Sequence, residues 1–327
     1  MARSALSRRH MIAMGLGLGA LAAGGIAYSA FGRAMRKARS GIGSGLNRTV
    51  QTRFGALEYA EAGAGPPFLM IHGTGGGFDQ GLLFAGRLIQ SGYRVIAPSR
   101  FGYLRSAMPA DPSSENQADA LADLLDALGI ARIAVAGGSA GALSALQFAI
   151  RHPDRCAALI PIVPAAYAPN RPPARPWSPA QTVLAQKVLQ SDFLFWAAFS
   201  AIPDTLIRTL LATDPELVAA ASAAERERVH RILRAILPVS DRAAGLLNDA
   251  GLAGNPAPMQ LGKITAPALA ISLEDDRFLT ADAARHIAAE VSGARLIVYP
   301  TGGHVWVGRD SELFEAIDRF LKEIGYA

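Results

Sequence analysis

A single cysteine, Cys156, stands in 327 residues. That excludes an internal disulfide and any cysteine-based zinc or iron–sulfur site. With Ala157, Ala158 and Leu159 beside it, it reads as a small core residue and not as a reactive thiol. Charge is scarce too: charged residues make up 18% of the chain and apolar residues 50%, a balance that folds rather than staying disordered. Acid is missing altogether from residues 1–40, which hold Arg3, Arg8, Arg9, Arg33, Arg36, Lys37 and Arg39. The formal charge of +5 therefore belongs to this segment, because the other 25 basic side chains face all 27 acidic ones. Composition gives no support to nucleic-acid binding.

Met11 to Phe31 is a run of 21 residues without a charge. At about 1.5 Å per residue a helix of that length matches a bilayer core of roughly 30 Å. Ser7-Arg8-Arg9-His10-Met11-Ile12 stands just before it. This resembles the twin-arginine export signal, with Met11, Ile12 and Ala13 departing from its usual Phe, Leu and Lys. The resemblance implies an exported, extracytoplasmic domain, with residues 1–40 as signal or uncleaved membrane anchor. The alternative is a single-span anchor holding the domain on the cytoplasmic face. Basic residues on both flanks leave the charge rule undecided. Residues 41–48 read as a flexible linker.

From Val50 onward, short apolar runs alternate with helical patterns, the mark of a mainly parallel sheet covered by helices. Strands are expected at Thr49–Phe54, Ala56–Glu61, Pro67–Ile71, Tyr93–Ala97, Arg132–Ala136, Ala158–Val163, Ala268–Ser272 and Arg295–Tyr299. From Ala165 to Leu261 the strand pattern stops. A proline-rich stretch gives way to helical patterns, which predicts a helical cap inserted into an α/β core of residues 49–164 and 262–327.

Gly137-Gly138-Ser139-Ala140-Gly141 falls between an expected strand and an expected helix. In that setting G-x-S-x-G marks a sharp turn that exposes the serine hydroxyl at a helix N-terminus. Small residues are needed two positions either side, where strand and helix approach too closely for side chains. The glycine-rich loop His72-Gly73-Thr74-Gly75-Gly76-Gly77 leaves main-chain donors unobstructed. The N–H groups of Thr74 and Ala140 are the expected oxyanion hole. No G-K-[ST] follows, so a phosphate-cradling loop is not indicated.

A serine hydroxyl at neutral pH needs a base. Of six histidines, His304 follows the last expected strand on a glycine loop and is placed for that task. Asp276, in Glu274-Asp275-Asp276, is the expected acid that orients the imidazole. Asp275 is the rival, and no Asp or Glu lies between Ile162 and Ala185 to offer another.

These motifs together resemble the α/β-hydrolase superfamily from about Val50 to the end: His72-Gly73, Pro98 to Ser106, Gly137 to Gly141, Asp276-Arg277 and Gly303-His304. The resemblance implies an α/β-hydrolase fold, eight strands and helical cap, with Ser139, Asp276 and His304 as triad. Ser99 and Leu104-Arg105 depart from the family pattern at the fourth strand. Serine at the nucleophile argues against the dehalogenase and epoxide-hydrolase branches. The implied activity is acyl transfer on a carboxylic ester of small to medium size, with no cofactor and no metal. C–C bond hydrolase, lactonase and cofactor-free haloperoxidase are alternatives on the same triad, and a non-catalytic binding module is one of another class. Trp177, Phe193, Phe195, Trp196 and Phe199 are candidates to line an apolar pocket, or else to pack the cap's interior.

Overall fold

The computed structural model describes residues 8–43, 45–172 and 178–326, with side chains from Gly24 onward except at 182. A helix, α1 (Arg8–Ile42), leads into strands β1 (Asn47–Thr52), β2 (Gly55–Ala62) and β3 (Pro67–Ile71). Helices α2 (Phe78–Phe84) and α3 (Gly86–Gln90) follow, then β4 (Arg94–Pro98), α4 (Ser114–Ala127), β5 (Ile133–Gly138), α5 (Gly141–Arg151) and β6 (Cys156–Ile162). Six helices come next: α6 (Pro179–Leu189), α7 (Asp192–Ala201), α8 (Pro203–Leu210), α9 (Pro215–Ala220), α10 (Ala223–Arg234) and α11 (Ala243–Leu252). The chain closes with β7 (Leu269–Leu273), α12 (Thr280–Glu290), β8 (Arg295–Tyr299) and α13 (Asp310–Glu323).

The eight strands form one sheet in the order β1-β2-β4-β3-β5-β6-β7-β8. β1 and β2 pair antiparallel, β2 meets β4 antiparallel, and every later pairing is parallel. This is an α/β-hydrolase fold. Side chains alternate between the faces as a pleated strand demands. On β3, Phe68 and Met70 join Phe84, Leu88, Phe314 and Ile317 from α2, α3 and α13. Leu69 and Ile71 join Leu121, Leu125, Leu146 and Phe148 from α4 and α5 on the other face. Both faces are covered, which is why the central strands read as unbroken apolar runs.

At the amino end α1 continues to Ile42 and β1 begins at Asn47, so both ends of the stretch read as a linker, residues 41–48, fall in regular elements. The cause is packing: Met35 is buried in the core, Phe31 and Ala38 lie against it, and Ile42 lies against Ala60, Phe78 and Ala97. The expected span over Met11–Phe31 falls largely on residues whose side chains lie outside the described ones. Among the described residues no helix is long and apolar enough to cross a membrane.

Candidate active site

Ser139 connects β5 to α5 with a left-handed backbone, φ 52°. L-residues avoid that region, so the conformation stores strain that the surroundings must hold. They hold it through the Ser139 N–H donating to the Ile162 carbonyl (2.9 Å) and the Ser139 carbonyl accepting from Ala165 (3.1 Å) and Ala142 (3.0 Å). A Cβ at Gly137 would stand 2.5 Å from the Gly141 carbonyl oxygen, and one at Gly141 would stand 2.4 Å from that of His72. Gly138 has open space by comparison, its nearest neighbour 3.9 Å away. The two outer glycines of the motif are therefore steric necessities, and the inner one is not.

β5, β6 and β7 are neighbours in the sheet, so about 10 Å, two strand spacings, separates the end of β5 from that of β7. Asp276 follows β7 and His304 follows β8. The structure joins them, with His304 Nδ1 2.8 Å from Asp276 Oδ2. Among the described residues Nε2 of the same ring has no hydrogen-bond partner. Asp276 also accepts from the Phe278 N–H (2.9 Å) and, by a short contact, from the Thr280 hydroxyl. Burial pushes its carboxyl up, but the charge and hydrogen bond of His304 and the bonds from Thr280 and Phe278 outweigh that, and its pKa is lowered. Asp275, the rival acid, turns instead to the loop ahead of the histidine, accepting from Gly302 N–H (3.1 Å) and Gly303 N–H (2.8 Å).

Thr74 and Ala140 stand on the two facing loops, and among the described residues neither N–H finds an acceptor. The loop carrying Thr74 is held by neighbours on both sides. Gly73 N–H donates to Gln80 Oε1 (3.1 Å), Gly75 N–H to the Tyr103 hydroxyl (3.2 Å), and Gly76 N–H to the Gly73 carbonyl (3.2 Å). His72 is not available as a base. The Arg100 N–H donates to its Nε2 (2.9 Å), so the ring proton resides on Nδ1, which donates to the Gly73 carbonyl (2.6 Å). Burial, with the charges of Arg100 and Arg242, holds its pKa well below the ordinary value.

Sequence reasoning missed the polar groups behind these loops. Arg100 donates twice to Asp249 of α11 (2.7 and 2.6 Å), and the Tyr103 hydroxyl donates to the same carboxylate (2.6 Å). Arg242, fully buried, reaches the Gly76 carbonyl and Asp79. On the histidine side, Thr213 accepts from the Val305 N–H (3.4 Å), and Arg228 of α10 donates to the Val305 carbonyl (2.7 Å). Arg228, Thr213, Arg242 and Asp249 all belong to the segment between β6 and β7. That segment is thus tied both to the loop carrying Thr74 and to the loop carrying His304. The departure at the fourth strand has a local answer as well. Where the family pattern has Asp, Ser99 donates to the buried Glu58 of β2 (3.0 Å), which also takes bonds from Asn47 (2.8 Å) and Arg105 Nε (2.7 Å).

Of the aromatic pocket candidates, Trp177 lies outside the described residues. Phe195 is buried in the core. Phe193 and Trp196 do not gather round the histidine. Their ring neighbours are Phe31 of α1, at 5.3 and 5.7 Å, and each other at 5.9 Å. Phe199 packs partly buried against the same core. The ring set edge-on to His304 is Phe278, at 5.0 Å, which no periodicity singled out. Arg171, half-buried, donates to the Ala166 carbonyl (3.0 Å). Burial lowers its pKa, with the charge of Asp276 acting against the shift.

The profile of a family described as the alpha/beta hydrolase fold matches residues 66–307. The 2-hydroxy-6-oxononadienedioate/2-hydroxy-6-oxononatrienedioate hydrolase of Paraburkholderia xenovorans is 29% identical over 263 residues, covering 76% of this chain and 84% of the relative. The 2-hydroxy-6-oxo-6-phenylhexa-2,4-dienoate hydrolase of Comamonas testosteroni is 28% identical over 274 residues, covering 82% and 91%. An alpha/beta hydrolase fold protein from Nakamurella multipartita superposes with a TM-score of 0.68 at 28% identity, over 85% of this chain and 99% of the other.

Proposed function

This chain belongs to the α/β-hydrolase family and is a hydrolase of that fold, and on that premise we propose that it works by acyl transfer through Ser139, His304 and Asp276. The observation that carries the reading is the strained serine at φ 52° at the end of β5, together with an imidazole whose other nitrogen is fixed by a buried carboxylate at 2.8 Å. Ser139 Oγ attacks a carbonyl, and His304 Nε2 takes its proton and returns it to the leaving group. The N–H groups of Thr74 and Ala140 receive the negative oxygen, where preorganised donors act most strongly. Asp276 keeps the Nδ1 proton in place and stabilises the imidazolium. Water then releases the acyl group by the same steps. The substrate we assign is a carboxylic ester of small to medium apolar size, with Phe278 beside the reacting centre. Residues 1–40 we read as export signal or anchor, on the arginine pair and the uncharged run.

A second reading is hydrolysis of a C–C bond in an anionic oxo-dienoate. The names of the two curated relatives favour it, and so does Arg171, a half-buried cation within electrostatic reach of Asp276. The test begins with fluorophosphonate labelling followed by intact mass, with Ser139→Ala as control. One stoichiometric adduct absent from the control supports the nucleophile. Folded protein without an adduct refutes it and returns weight to a binding module. Turnover of a 2-hydroxy-6-oxo-dienoate at least tenfold faster than of any aryl or alkyl ester would replace the ester reading with the second one.

A further inference from the structure

The large apolar side chains left in solvent are unevenly distributed. Of the fourteen among the described residues, eight lie on α1 and on the consecutive segment from α6 to α8. Ile26 and Tyr28 stand on α1. Leu184 on α6, Phe193 and Leu194 on α7, and Ile202 at its end are between 43% and 64% exposed. They form one neighbourhood, because Phe31 of α1 meets the rings of both Phe193 (5.3 Å) and Trp196 (5.7 Å), and α6 and α8 both pack on α7. A helix as apolar as α7, Asp192-Phe-Leu-Phe-Trp-Ala-Ala-Phe-Ser-Ala201, is normally buried all round. An apolar surface of this extent marks a binding face.

We propose that this face of the cap, together with α1, docks on the surface of a lipid bilayer. Two features select that occupant over a second copy of the chain. The 21 uncharged residues Met11–Phe31 belong to the helix whose Phe31 meets this face, and their length matches a bilayer core of about 30 Å. Immediately after them, Arg33, Arg36, Lys37 and Arg39 are exposed, with no acid on α1 to neutralise them. Cations just beyond an apolar stretch suit anionic headgroups at the membrane interface, each contributing about 1 kcal/mol near such a surface. A protein–protein seam has no comparable need for unpaired cations. Docked so, the cap helices face the acyl-chain boundary, and an amphiphilic ester could pass from the bilayer without crossing water.

The face can be read by fluorescence on the full chain in phosphatidylglycerol/phosphatidylcholine vesicles. Leu184→Cys and Leu194→Cys each offer one labelling site for an environment-sensitive dye, because the native Cys156 is buried. Leu296→Cys on β8 is the control. Vesicles carrying brominated acyl chains should quench the dyes at 184 and 194 at least twofold and leave the one at 296 unchanged. Dyes at 184 and 194 that stay unquenched while the chain floats with vesicles would overturn the proposal, as would a chain that does not float. Energy transfer between labelled copies without lipid quenching would assign the face to a second copy and also overturn it. No turnover is needed for this readout, so its failure is separable from a failure of the Ser139 assignment. In parallel, the Leu184→Asp/Leu194→Asp double variant should lose at least tenfold on a vesicle-borne ester while hydrolysing a short soluble ester at the wild-type rate.

Discussion

Asp249→Asn keeps the shape of a buried side chain and removes its charge, which makes it a sharp test of how the cap supports the active site. In the native protein two Arg100 donors and the Tyr103 hydroxyl converge on the Asp249 carboxylate at 2.6 to 2.7 Å. Arg100 is 5% exposed and Asp249 2%, so water cannot take over. An amide offers one acceptor oxygen to three donors and leaves the guanidinium buried with its charge uncompensated. Breaking such a pair from one side costs about 3–5 kcal/mol. With a urea slope of about 3 kcal/mol/M for a chain of this size, the midpoint should fall by roughly 1–1.7 M at unchanged slope. Because Tyr103 also receives the Gly75 N–H, next to Thr74, kcat should fall too. One misplaced oxyanion donor sets a ceiling of about 10²–10³-fold on that loss. The double variant Arg100→Met/Asp249→Leu removes both charges and should regain most of the midpoint, since buried pairs are often replaceable by apolar groups. It should not regain kcat, because Arg100 Nε no longer holds the His72 carbonyl (3.0 Å). A midpoint for Asp249→Asn within about 0.3 M of wild type, at that same slope, would refute the reasoning.

Asp276→Asn should lower kcat on the order of 10⁴-fold, because the imidazole loses its orienting partner. Asp275→Asn should cost much less, and the reverse ranking in steady-state assays would transfer the role to Asp275. The pKa of Asp276 is lowered in the folded state, so its stabilising contribution is fully present above the unfolded value of about 4 and is lost as pH falls through the folded value. Urea midpoints followed below pH 5 should therefore decline less steeply in Asp276→Asn than in wild type, and equal slopes would contradict the assigned direction. Burial pushes the Cys156 thiol up to about 12, so native protein at pH 8 should resist iodoacetamide and the unfolded chain should react at once. Modification of the native protein at the unfolded rate would show that Cys156 is accessible. Gly141→Ala places a Cβ 2.4 Å from the His72 carbonyl oxygen and should abolish fluorophosphonate labelling, whereas Gly138→Ala, with its nearest neighbour 3.9 Å away, should retain it.

What could be read from the sequence and what could not divide along the range of the interactions involved. The strands of the sheet, the elbow at Ser139 and the histidine loop are set by neighbours a few residues apart, in buried apolar runs and glycines at fixed offsets. Those local constraints leave a mark on a single sequence. Asp276 against Asp275 was a harder choice, because adjacent acids on one turn differ only in which distant loop each one meets; one faces His304 Nδ1 and the other the Gly302 and Gly303 amides. The supports of the loop carrying Thr74 left no readable mark at all. Arg242 meets Gly76 and Asp79 across more than 160 positions, and Asp249 meets Arg100 across 149. Charged residues on cap helices look solvated until the fold buries them. Glu58 shows the same logic within the core. Ser99 departs from the family's acid, but a carboxylate from β2, 41 positions earlier, takes the hydrogen bond from the Ser99 hydroxyl. The cap aromatics show the same limit. Helical spacing leaves open whether Phe193 and Trp196 line a pocket or pack inside the cap, and nothing local reveals that Phe31 of α1 lies against them. The described part of the amino-terminal helix is therefore packed into the hydrolase fold: Phe31 meets the cap rings of Phe193 and Trp196, Met35 is buried in the core, and Ile42 lies against Ala60, Phe78 and Ala97.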